Sequence, residues 1–443
     1  MAEIFPFRAY RYNAARVDPA KVLTQPYDKI TPAMAEKYAA ASPYNLIPVE
    51  KGKALPDDTT GNNVYTRAAK ALEDWIRADV IVRDAMPSLY AYFQEYTVPG
   101  TSDRRVRKGF VALGRVEDYS AGVVFRHEQT LSAPKADRLE LLRHTKTHTG
   151  QLFMLYSDTA ARVDALLDTA AHGKPEVEVR DEYDVVHRLW PVTDAKVIVT
   201  IQHEMADKKL VIADGHHRYE TALAYRDECR TRCGRVDRNA PFEKVMMTLF
   251  NTTGKGLTIL PTHRVVANVT NFSLERFRAA LADAFDWRSY PFAGANRTEA
   301  YGKFQSDLTG RGKEQRAIGV YAGGGAYYLC LLKKEANLEA LLPGVSAAQR
   351  QLDVVLLHRL VLERGLGITA DAVKTEKNIT YEREMNTAIA EVDQGRAQIS
   401  FLLNPVSVEI VAGMAMAGEV LPQKSTDFFP KLMSGITMYR LGE

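Results

Sequence analysis

The sequence predicts an α+β fold built on a mixed sheet, and three observations carry that expectation. Residues 208–228, KKLVIADGHHRYETALAYRDE, begin with a short apolar run (Leu210, Val211, Ile212, Ala213). They pass through an Asp214-Gly215 turn into a helical pattern with Tyr219, Ala222 and Leu223 on one side. SLYAYFQEY (88–96) and VRKGFVALGRV (106–116) alternate on either side of the polar loop VPGTSDRR, as the arms of an antiparallel hairpin do. Elsewhere strands and helices follow one another without the regular βαβ alternation of a parallel sheet.

Taken in order, residues 1–30 are rich in Pro and aromatics and read as an extended, packed segment ending at QPYDKIT. Thr31-Pro32 supplies a cap and a first helical position for a helix over 33–41. Val64, Ala68, Leu72, Trp75 and Ile76 share one face of a helix over 62–78. Residues 127–148 begin as a loop and become helical near Asp137. A strand at 151–157, a helix at 159–170 and two short strands, EVEVR and VVHRLWPV, follow. Thr193 or Asp194 caps a helix reaching about 205, and the 208–228 unit comes next. FEKVMMTLFNT (242–252) and LTILPTHRVV (257–266) read as neighbouring strands. After Thr270 the composition shifts. A helix at 273–285 and a hairpin at 317–333 turning on Gly323–Gly325 suggest a small inserted α/β unit. A helix at 346–366, a buried strand at 397–405, a helix at 406–418 and a polar loop complete the chain. The expected division is therefore 1–270, an inserted subdomain at 271–345, and 346–443 completing the core.

With 443 residues, 46% hydrophobic and 26% charged, the chain has the composition of a globular protein with a large core. A net charge of +3 is too weak to argue for nucleic acid. Three cysteines (Cys229, Cys233, Cys330) in so long a chain do not make a disulfide framework and fit a reducing compartment. Cys229 and Cys233 lack a second Cys or His pair with matching spacing, so two ordinary thiols are the better reading. The first residues lack the apolar segment of a signal peptide, and no apolar run reaches the length of a membrane span, so a cytoplasmic location is expected.

Chemistry concentrates at the 214–218 turn. A helix N-terminus offers unpaired backbone N–H groups and a positive dipole end. Here it also carries His216, His217 and Arg218, with Asp214 as a candidate base or Mg²⁺ ligand. The alternative is that Asp214 only caps the helix and His216 is a packed core histidine. A second cluster, His127, Glu128, Thr130, Lys135, Asp137 and Arg138, sits before a helix. His127 or Glu128 is a candidate general base there, and Lys135 and Arg138 are candidates to neutralise phosphate charge. A solvated loop is an equal alternative. A third group, Lys424, Ser425, Thr426 and Lys431 in LPQKSTDFFPK, is an anion-binding set without the glycine pattern of a P-loop. Asn45, Glu50 and Lys51, and His263 with Arg264, are lesser candidates.

PYDKI, SPYNLIPVE, HEQTLSAPKADR, VIADGHHRYETAL, ILPTHR and PQKSTDFFPK together resemble the large bacterial and archaeal domain of unknown function 1015 family. The resemblance implies a fold similar to the ParB/sulfiredoxin-like superfamily, whose members bind nucleotides through a comparable turn and helix. Free serine kinases of that superfamily carry an Asp-Gly-x-x-Arg-like turn. The resemblance therefore implies phosphate binding at Asp214, Gly215, His216, His217 and Arg218. His216 stands where sulfiredoxins have cysteine, and the paired arginines of ParB are absent, which argues against sulfinic-acid reduction and DNA partitioning.

The expected function is a nucleotide-dependent phosphotransferase acting on a small hydroxyl compound, L-serine first. ATP or ADP and Mg²⁺ are its cofactors, and Glu128, His127, Glu50 or Asp214 its acid–base group. The alternatives are a nucleotide-binding regulator without turnover and, third, a ParB-like nuclease. The expected partner is a small-molecule substrate, with no nucleic acid and no membrane; a homodimer stays open. A single site requires the 127–138 and 424–431 loops to converge on the 214–218 turn.

Overall fold

The computed structural model describes residues 2–128, 132–422 and 424–442, leaving aside the side chains of 132–134 and 374. The fold is α+β, and the chain divides into two compact units. The first comprises Met1–Thr258, Ala415–Gly418 and Phe428–Glu443; the second comprises Ile259–Met414 and Glu419–Asp427.

The first unit is organised by a mixed sheet of nine strands among the described residues. In chain order these are β1 (Ile4–Phe5), β2 (Leu89–Thr97), β3 (Arg104–Arg115), β4 (Val124–Arg126), β5 (Leu152–Tyr156), β6 (Val177–Arg180), β7 (Val186–Val192), β8 (Leu210–Asp214) and β9 (Lys244–Asn251). Their spatial order is β4-β8-β5-β9-β3-β2-β7-β6, with β1 beside the end of β3 that β2 leaves unpaired. β4 with β8 and β5 with β9 run parallel; every other pairing is antiparallel. The 88–116 hairpin forms as expected, with Tyr90 opposite Val111.

Strand β5, LFMLY, is buried along its whole length, which explains its unbroken apolar run. Leu152, Met154, Leu210, Ile212, Met247 and Tyr219 join one core beneath the helices. Three helix starts follow their capping chemistry. Thr31 accepts from the Met34 N–H, Asp194 from Lys196 and Val197, and Asn63 from Tyr65 and Thr66 in a capping box. The Val64–Arg77 helix buries Ala68, Leu72 and Trp75, and Trp75 meets the rings of Tyr12 and Tyr44. Burial of a large side chain of this kind stabilises by roughly 1.5–3 kcal/mol.

The second unit holds an antiparallel sheet of six strands among the described residues. They are β10 (His263–Val266), β11 (Phe285–Pro291), β12 (Ala317–Tyr321), β13 (Ala326–Leu332), β14 (Ile379–Glu382) and β15 (Ile399–Leu402), in the order β11-β13-β12-β15-β10-β14.

This arrangement differs from the expected three-part division. The 271–345 segment is not a sheet of its own, because β12 pairs with β15 and β15 with β10. Nor do 242–252 and 257–266 form neighbouring strands. Residues 257–266 split into Thr258–Leu260 and β10, and β10 pairs within the second sheet. The helix expected over 346–366 is interrupted where Leu352, buried and extended (φ −108°, ψ 126°), separates a short 3₁₀ turn from Asp353–Leu356. Leu357–Arg364 then continues as a π-helix. The helix expected over 273–285 stops at Ala280, and its last residue begins β11. Among the described residues, no helix is long and apolar enough to cross a membrane.

Because Asn63 satisfies two N–H groups at once, Asn63→Ala should lower the free energy of unfolding by about 1 kcal/mol. Urea denaturation followed by circular dichroism checks this, and an unchanged midpoint contradicts the capping role.

Candidate functional site

The turn after β8 is the geometric origin of the site. Gly215 has φ +93°, a conformation that side chains with a Cβ resist. A Cβ there would also sit 3.1 Å from Leu152 Cδ2 and 3.2 Å from Arg218 Nε. The helix His216–Cys233 therefore begins immediately off the strand end, and no side chain caps its first N–H groups. Asp214 is not the side-chain cap of this helix. Its Oδ1 accepts from the Gly215 N–H at 2.8 Å, and its Oδ2 receives Lys431 Nζ at 3.0 Å. Burial works to raise the Asp214 pKa, but Lys431, Arg218 and Lys29 together hold the carboxyl far below the usual range.

Lys431 is brought to Asp214 by a buried clamp on the returning C-terminal segment. Gln94 Nε2 donates to the Lys431 carbonyl at 2.8 Å. Gln94 Oε1 accepts from Arg107 Nε at 3.0 Å, and Arg107 donates to the carbonyls of Phe429 and Pro430. The Arg107 guanidinium lies 4.5 Å and 4.7 Å from the ring centres of Phe153 and Phe250. Burial pushes its pKa down to about 10.

Beside this turn is a solvent-open pocket lined by, among others, Tyr27, Glu50, Arg138, His148, Thr149 and Arg218. Glu50 is 4% exposed. Its Oε1 accepts from Thr149 Oγ1 at 2.5 Å, and its Oε2 lies 3.8 Å from Arg138 Nη1. Arg138 also donates to the Glu50 carbonyl and stacks 4.3 Å above the centre of the Tyr27 ring. Burial, with Asp28 adding to it, pushes the Tyr27 hydroxyl up to about 12. Arg218 donates to the Gln151 carbonyl and crosses Gly150, where a Cβ would sit 2.9 Å from its Nη1. Its Nε is buried without a hydrogen-bond partner.

The sequence candidates are thus brought together only in part. Asp214, Gly215, Arg218 and Lys431 meet at the turn, and Glu50, Arg138 and Arg218 share the cavity. His217 occupies the first turn of the helix and is partly buried. His216 packs edge-on to His127, ring centres 4.8 Å apart, and its Nε2 is buried without a partner. Burial, with the neighbouring His127 adding to it, holds its pKa well below the usual value. His127 is 0% exposed, bonds the Ile212 carbonyl through Nδ1 at 2.7 Å, and is pushed by burial down to about 4. The His127 ring is thus enclosed and held neutral against the strand end. Glu128 lies 3.9 Å from His127 Nε2, and Lys135 lies 3.9 Å from Glu220 on the 216–233 helix. Thr130 lies outside the described residues.

Lys424, Ser425 and Thr426 belong to the second unit, whereas Lys431 belongs to the first. The Lys424 carbonyl accepts from Arg264, and the Ser425 hydroxyl donates to the Pro422 carbonyl. The lesser candidates include structural roles: Asn45 Oδ1 accepts from the Ile47 N–H, and Lys51 Nζ donates to the Ile30 carbonyl. Asp214 as a Mg²⁺ ligand does not fit, because three cationic side chains surround it and one occupies its outer oxygen. Among the described residues no group of three metal-ligating side chains occurs. Sequence reasoning missed Tyr27, Lys29, His148, Thr149 and Gln151. Tyr27 and Lys29 lie in PYDKI, a motif already conspicuous in the sequence; the THTGQ stretch at 147–151 carries no comparable signal.

The chain belongs to the family described as "Protein of unknown function (DUF1015)", whose profile matches residues 4–355. A search of curated proteins finds no significant match. Among solved structures it is similar to a conserved hypothetical protein from Pyrococcus furiosus, at 12% identity and TM-score 0.32, covering 70% of this chain and 90% of that one. It is also similar to a free serine kinase in complex with AMP, at 11% identity and TM-score 0.34, covering 72% and 88%. A third is SbnI with a C-terminal truncation from Staphylococcus aureus, at 10% identity and TM-score 0.32, covering 75% and 84%.

Two outcomes test this geometry. Gly215→Ala should destabilise the fold by about 1–2 kcal/mol, the cost of a left-handed non-glycine residue, measurable by urea unfolding. His127 has a folded pKa below its unfolded one. Its contribution to stability is therefore complete above about pH 6.5 and is lost as pH falls toward 4, by up to roughly 3 kcal/mol. His127→Asn should flatten the pH dependence of unfolding in that window; an unchanged slope contradicts the buried neutral ring.

Proposed function

We propose that this DUF1015 family member is a nucleotide-dependent phosphotransferase acting on a small hydroxyl compound, with L-serine the first acceptor to test. The observation that carries the reading is one cavity lined both by the buried carboxylate of Glu50 and by Arg218, which links it to the cationic surroundings of Asp214 that Lys29 and Lys431 complete. Three cations face one carboxylate at the turn, so the field favours a further anion. A nucleotide phosphate at the start of the 216–233 helix meets backbone N–H groups and the Arg218 guanidinium.

In this scheme the acceptor is a small molecule; neither nucleic acid nor a membrane takes part. ATP or ADP is the donor. Arg138 and Thr149 hold the Glu50 carboxylate, which takes the acceptor's hydroxyl proton as that oxygen forms its bond to phosphorus. The bond between the transferred phosphorus and the nucleotide's bridging oxygen breaks, and Arg218, Lys29 and Lys431 offset the charge left on the nucleotide. Positioning and charge neutralisation account for the acceleration. Lys135, Glu128 and the 424–426 side chains have no part in it.

Purified full-length protein with ATP or ADP, magnesium ions and free serine should yield O-phosphoserine, detected by phosphorus NMR. Arg218→Ala should lower kcat/KM about a hundredfold or more through lost phosphate charge stabilisation. Glu50→Gln should lower kcat while nucleotide affinity measured by calorimetry is retained. Nucleotide binding without turnover on any hydroxyl compound would replace the kinase reading with that of a regulator; absence of nucleotide binding would sink both.

A further inference from the structure

The second unit contains a pocket of its own, partly open to solvent. Leu352, Val354, Leu403 and Ile410 supply part of its apolar wall. An acidic and a basic side chain line it with no hydrogen bond or ion pair between them among the described residues. Asp353 begins the short Asp353–Leu356 helix and is enclosed enough that burial pushes its carboxyl up to about 7, against the pull of Arg316 and a backbone hydrogen bond at Ala317. Its Oδ1 is buried without a hydrogen-bond partner. Arg316, which precedes β12, makes no side-chain hydrogen bond or ion pair among the described residues, and it too lines the cavity. The other arginine in the wall, Arg264, is committed elsewhere. It donates to the Thr262 and Lys424 carbonyls and lies 3.3 Å from His358 Nε2.

An orphaned buried carboxylate oxygen costs free energy unless something donates to it. A lone guanidinium in the same cavity asks for an acceptor. One ligand satisfies both if it carries a cation and an anion a few bonds apart. We propose that this cavity binds a small zwitterion, its ammonium group on Asp353 and its carboxylate on Arg316. The site uses no residue of the Asp214 turn and stands apart from the phosphotransferase reading.

The test is calorimetry on the full-length chain. The titrants are glycine, alanine and leucine, their amides, which lack the carboxylate, and their N-acetyl derivatives, which lack the ammonium group. Saturable binding of at least one free amino acid is expected. Its affinity should fall about tenfold or more in Asp353→Asn and in Arg316→Gln, the size of one charge-assisted hydrogen bond. Its amide and its N-acetyl derivative should bind more weakly by a similar factor, and Arg218→Ala should bind the amino acid as the parent protein does. The proposal is overturned if no free amino acid binds, if Asp353→Asn binds as tightly as the parent, or if the amide matches the free amino acid.

Discussion

Asp214 and Lys431 are 217 residues apart in sequence and 3.0 Å apart in space, and both are largely withdrawn from water. Enclosing either charge costs several kcal/mol, and the pairing offsets part of that cost. The pair joins the strand end that launches the 216–233 helix to the segment that returns to the first unit after residue 427. Since Arg218 and Lys29 also act on Asp214, the carboxylate stays ionised and the surrounding field stays positive. The anion-seeking character of the turn is therefore a consequence of how the turn is held in place.

Placing Lys431 takes a second buried cation. Arg107 is 1% exposed, between two phenylalanine rings, and spends its donors on Gln94 and on the backbone just before Lys431. Buried guanidinium groups persist only where hydrogen bonds replace water. Here the replacements are backbone carbonyls, so the charge fixes the path of the main chain. Gln94 completes the arrangement by bonding both Arg107 and the Lys431 carbonyl.

The two pockets hold their acidic groups differently. At the first and the turn beside it, the acidic groups have cationic partners: Lys431 for Asp214 and Arg138 near Glu50. In the second, Asp353 keeps an unpartnered oxygen inside a cavity. Paired charges preorganise a site around a field, whereas an unpaired one leaves a requirement for a ligand to meet.

Local sequence determined the pieces whose causes are local. The strand–glycine–helix at 210–233, the 89–115 hairpin, and the capped helices after Thr31, Asn63 and Asp194 follow from apolar period, turn residues and side-chain acceptors within a few positions. The 214–218 turn was singled out because an acid, two histidines and an arginine coincide with one strand–glycine–helix turn, and Lys431 because it closes a run of lysine and hydroxyl side chains. Tertiary structure decided everything that depends on long-range pairing. It set β10 in the second sheet, interrupted the 346–366 helix at Leu352, and separated Lys424 from Lys431. It also turned His127 from a reactive-looking loop residue into a buried neutral ring, and gathered Tyr27, Glu50 and Thr149 around Arg218. Periodicity records which residues are apolar, but which oxygen meets which nitrogen across a hundred or more residues is settled only when the sheet closes and water is excluded.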